Sequence, residues 1–65
     1  MKNSKCFIYD INSEYIAKDE KELKKDAMIL IIMSGFTENF EVIDACVSFY
    51  KEKKVMVVKV REAID

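Results

Sequence analysis

The chain opens in alternation. Between Cys6 and Ile11, Phe7, Tyr9 and Ile11 fall on one side of an extended segment, and Cys6 and Ile8 fall on the other. Aromatic and β-branched residues dominate the stretch, and Asn12-Ser13 follows as a turn signal. Together they predict a first strand. Glu14 to Ala17 is expected to return as a short second strand.

The period then lengthens. Asp19 is a natural cap, and Glu22 stands three residues later, as in a capping box with Asp in place of Ser or Thr. A helix is therefore predicted from about Asp19. Glu20 and Lys24 form an i,i+4 pair in the favourable order. Leu23, Ala27 and Leu30 align on one face, while Lys21, Lys24 and Lys25 point elsewhere. From Met28 to Met33 the segment is apolar all round, which calls for cover on every side. Gly35, the single glycine, fits the left-handed C′ position of this helix. Phe36 then fits the C″ position, with an apolar contact back to Ile31 or Ile32.

Thr37 is positioned to cap a second helix. Over Glu38 to Lys53, a strand would put Asp44 and Ser48 on the same face as Phe40, Val42 and Cys46. A helix would instead gather Phe36, Phe40, Ile43, Val47 and Tyr50 into one stripe, with Glu41, Asp44, Ser48 and Lys51 opposite. The second pattern is cleaner and predicts a helix. Lys51, Lys53 and Lys54 then suit the negative end of its dipole. Val55 to Val60 reads as a strand, and Arg61 to Asp65 as a frayed tail.

The predicted fold class is α+β, a small two-layer domain spanning residues 1–65 in the order β-(β)-α-α-β. Two helices would pack on one face of a small antiparallel sheet, with the first and last strands antiparallel if adjacent. So small a sheet leaves edges that a symmetric partner would cover.

Composition sharpens this picture. A domain of 65 residues hides only about 60% of its unfolded surface. Apolar residues make up 51% of the chain, more than so small an interior readily holds. The surplus predicts an interface, with a homodimer seam along Met28 to Met33 ahead of a site for a different protein. Lys and Arg (11) nearly balance Asp and Glu (12), so charge favours neither nucleic acid nor its mimicry. The longest apolar run, Ala27 to Met33, is far short of the roughly 20 residues of a membrane span. The start of the chain lacks an export-signal pattern, which predicts a cytoplasmic protein with reduced thiols.

Few residues carry candidate chemistry. Histidine is absent, which removes Ser-His and Cys-His nucleophile pairs and imidazole metal ligands. Two cysteines do not complete a structural zinc site, and one glycine does not build a phosphate-binding loop. Neither a metal nor a cofactor is expected, nor catalysis. Asp10-Ile11-Asn12-Ser13-Glu14 begins like a calcium loop, but Tyr15 stands where the turn glycine belongs and Lys21 where the bidentate Glu belongs. Cys6 and Cys46 have no adjoining basic cluster, and the expectation is that each fills space as a small buried hydrophobe.

The turn around Ser34-Gly35-Phe36 suggests a helix-turn-helix, yet its second helix would lead with Glu38, Glu41 and Asp44 towards phosphate. The same short stretch resembles the helix–Met-Gly-Phe–helix turn of ubiquitin-associated domains. It lacks the tripeptide itself, and no function is carried over from it. In composition the chain resembles short accessory proteins of phages and mobile elements, host-defence inhibitors among them.

The leading expectation is a small non-enzymatic interaction protein, a regulator or inhibitor of another protein. Met28, Ile32, Met33, Phe36, Phe40 and Phe49 are its candidate interface residues. One alternative is a nucleic-acid-binding accessory protein whose lysines (Lys18, Lys21, Lys24 and Lys25 with Lys51, Lys53, Lys54, Lys59 and Arg61) form a patch on dimerisation. The other is a thiol-based sensor using Cys6 and Cys46.

Overall fold

The computed structural model describes residues 4–11 and 14–63. The order is β1 (Ser4–Asp10), α1 (Glu20–Met33), β2 (Phe40–Tyr50) and β3 (Lys53–Glu62). The strands form one antiparallel sheet in the order β1-β3-β2. Both outer strands run antiparallel to β3, so β1 and β2 are parallel with β3 inserted between them. The predicted arrangement of two helices on a sheet is thus overturned: one helix packs on three strands.

The first helix starts and stops as the sequence indicates. Asp19 Oδ1 accepts from the Glu22 amide at 2.8 Å, and a Glu22 carboxylate oxygen accepts from the Lys18 amide at 3.1 Å. This is a capping box displaced by one residue at its return bond. At the other end Gly35 has φ +99, the Gly35 amide donates to the Ile32 carbonyl, and the Phe36 amide donates to the Ile31 carbonyl. These two bonds define a Schellman motif, which satisfies carbonyls that the last turn would otherwise leave open. Glu14 to Ala17 is not a strand; Tyr15 instead turns its ring towards α1.

The predicted second helix is a β-hairpin. Its first arm, β2, carries a bulge between Val42 and Asp44. The extra residue, Ile43, reverses the alternation. Val42 faces Val60 on the helix side, while Asp44 faces Lys59 on the opposite side. From there Ala45, Val47 and Phe49 point to the helix layer, and Asp44, Cys46, Ser48 and Tyr50 to the open face. The alternation that disqualified a strand is repaired by one inserted position. Thr37 caps no helix, and the lysines near residue 51 serve a turn rather than a dipole. Tyr50 pairs with Lys53 around the two-residue loop Lys51-Glu52, whose φ angles are +47 and +65. Left-handed backbone at both positions is the mark of the hairpin turn that matches strand twist. β3 also runs past Val60, so Arg61 and Glu62 belong to the sheet rather than a frayed tail.

Ala27 and Ile31 of α1 are fully buried against Ala45, Met56, Val58 and Val60. Phe7, Phe36 and Phe40 close one end of this core, with ring centroids 5.2 and 5.1 Å apart in edge-on contacts.

Candidate interaction surface

The helix covers one face of the sheet, and the other face has no second layer among the described residues. Register places Cys6 and Ile8 of β1, Val55 and Val57 of β3, and Cys46 and Tyr50 of β2 on that open face. Ile8 is 67% exposed and Tyr50 is 64% exposed. A shallow hollow of about 260 Å³ lies there between Ile8, Val55, Val57 and Ser48. Charges frame it: Arg61 is ion-paired with Glu41, and Asp44 stands opposite Lys59.

A second apolar surface lies on the outside of α1. Ala27 and Ile31 face inward, so the rows Met28–Ile32 and Ile29–Met33, each with i,i+4 spacing, face away. Met33 is 79% exposed. The Met28 to Met33 segment is therefore covered on one side alone, where the sequence pattern called for cover all round.

The six candidate interface residues separate accordingly. Met28, Ile32, Met33 and Phe49 are exposed. Phe36 and Phe40 are half-buried and pack on the core. Ile8, Ile16, Ile29 and Tyr50 are exposed as well and were not among the candidates. For Ile8 the signal was available, since alternation already separated it from Phe7 and Tyr9. For Tyr50 it was not, since the helical reading placed it on the buried stripe.

Tyr15 joins the connection before α1 to the helix itself. Its hydroxyl donates to Asp26 Oδ2 at 2.6 Å. Burial first, then this hydrogen bond and the nearby charges of Asp26 and Glu22, push the phenol up to about 12. Lys54 donates to the Tyr15 carbonyl oxygen, with its ammonium between the rings of Tyr15 and Phe49. Beside Tyr15 runs a groove of about 380 Å³, floored by Ile29, Leu30 and Met56 with Asp10 and Asp26 at its rim.

The cysteines are both exposed, not buried space-fillers. They lie on the two outer strands with β3 between them, opposite Lys59 and Val57 respectively. Two strand spacings and a two-residue offset along β3 separate them by about 12 Å, beyond the reach of an intramolecular disulfide. Among the described residues, no group of three or more His, Cys, Asp or Glu side chains is placed to hold a metal. Asn12 and Ser13 of the calcium-like segment lie outside the described residues. No described helix is long and apolar enough to cross a membrane.

Much of the second lysine group lies across the sheet from the first, with Lys54 the exception on the helix side. Lys21, Lys24 and Lys25 belong to α1, whereas Lys53, Lys59 and Arg61 point to the opposite face of the sheet. The helix-turn-helix reading and the resemblance to ubiquitin-associated domains both end with the absence of a helix after Phe36. Comparison with protein-family models, with curated proteins and with solved structures finds no match to this chain.

Proposed function

We propose that this chain is a small non-enzymatic interaction module that regulates or inhibits another protein by covering part of its surface. The observation that carries the reading is the amount of apolar surface the fold leaves uncovered. Among the described residues eight large apolar side chains are at least 40% exposed, Ile16 and Met33 most of all. Met28, Ile29, Ile32 and Met33 supply an apolar strip on a rigid helix, suited to docking in a groove.

The test is capture from a lysate of the source cells, with and without nuclease, comparing the wild-type chain with an Ile32→Glu, Met33→Glu variant. The expected result is one defined protein that survives nuclease and is lost with the variant, whose circular dichroism is unchanged. Retention that disappears with nuclease would sink this reading in favour of nucleic acid.

A further inference from the structure

β3 has neighbours on both sides, which leaves the outer edges of β1 and β2. Sheet proteins usually blunt such edges with lysine, proline, bulges or short length. β2 is eleven residues long and contains no Pro, Lys or Arg. Its bulge lies near its beginning, between Val42 and Asp44. Asp44 to Tyr50 is then a regular run whose outer edge no other described strand pairs with.

We propose that a second copy of this chain pairs antiparallel with this edge about a two-fold axis through Val47, building one six-stranded sheet with both helices on the same face. The inference goes beyond the proposed function and does not depend on it. A two-fold axis perpendicular to the sheet keeps both helix layers on one side, so facing residues must come from the same face. That condition requires the axis to pass through a residue, not between two. Val47 is the middle of the regular run, so this register alone pairs all of it. Asp44 then meets the partner's Tyr50, Ala45 meets the partner's Phe49, and Cys46 meets the partner's Ser48. An axis at Asp44 would set two carboxylates face to face. Axes at Ala45 or Cys46 would run the bulge into the partner strand.

Charge fits this register. Phe49, 76% exposed in the single chain, comes to lie opposite the partner's Ala45, which that copy's own α1 covers. The strand begins with Glu41 and Asp44 and ends on a hairpin with Lys51 and Lys53. Antiparallel pairing brings each acidic end beside the other copy's basic end.

The experiment uses the full chain with Cys6→Ser and Cys46→Ser, into which Val47→Cys is introduced. Directly opposed strand residues lie about 4.5–5.5 Å apart at Cα, within disulfide range. Treatment with diamide, a thiol oxidant, should give a covalent dimer about tenfold faster than in the Cys6→Ser chain, where the two copies of Cys46 lie on a diagonal of about 7–8 Å. In sedimentation the wild type should be a dimer. Phe49→Lys, at a position already exposed, should retain the fold and weaken association about tenfold or more. A wild type that sediments as a monomer at its highest soluble concentration overturns the proposal. So does Cys46 cross-linking as fast as Val47→Cys, which would mean another register. A dimer indifferent to Phe49→Lys and without the Val47→Cys cross-link would place the second copy elsewhere and overturn it equally.

Discussion

Tyr15 shows how one side chain is tuned by its setting. Its phenol is partly buried and donates to a carboxylate, so its neutral form is favoured in the folded chain. The folded value is about 12 against an ordinary 10, so the folded state holds this proton more tightly than the unfolded state. The stabilisation is complete below pH about 10 and is lost as pH rises towards about 12. We therefore expect the difference in unfolding free energy between wild type and Tyr15→Phe to shrink over that window. In an ultraviolet titration, the Tyr15 step should lie towards pH about 12, and Tyr15→Phe should abolish it. A Tyr15 step near pH 10 would contradict the hydrogen bond to Asp26.

At the scale of elements, a single residue decides the character of β2. Ile43 occupies the bulge, and by reversing the alternation it lets Phe40 and Val42 join Ala45 and Val47 on the helix side. Deleting Ile43 would bring Val42 and Asp44 into a continuous ladder with their present faces retained. Deleting Val47 would turn Asp44 and Cys46 towards the core or force a new bulge. Chemical denaturation should show the Ile43 deletion folded and changed by about 1 kcal/mol or less, and the Val47 deletion largely unfolded. The reverse ranking would remove the bulge from this account. The same residue explains what was legible in the sequence. β1, β3 and α1 with both its caps were legible as elements, although β3 runs at both ends beyond the Val55–Val60 stretch that announced it. β2 carries two half-patterns out of phase, and together they imitate a helical stripe. Its turn hides as well, because Lys51 and Glu52 adopt left-handed backbone where Asn and Gly would have announced a hairpin.

For the molecule as a whole, the consequence of a three-stranded sheet is a core on one side only. Ile31 is fully buried, whereas Met33, two positions on, is mostly in solvent. Ile31→Ala should cost about 3 kcal/mol, a large share of what so small a domain has, while Met33→Ser should change stability by no more than about 0.5 kcal/mol. Equal losses at both positions in urea unfolding of a dilute sample would mean that the outer side of α1 is covered after all. The candidate surface was partly readable on the same terms. Periodicity identified Met28, Ile32 and Met33 as surplus, but which sides of the helix lacked cover depended on the number of layers, and that number turned on the identity of β2.

The strand that holds the sheet together is also the last of the three to be synthesised. Until the chain has been made as far as Glu62, β1 and β2 have no neighbour with which to form a ladder, and Ala27 and Ile31 of α1 lack Met56, Val58 and Val60. A chain ending at the hairpin turn has no ladder partner for either strand, and its 14-residue helix is marginal alone. Formation of the sheet therefore waits for β3 and then involves all three strands at once.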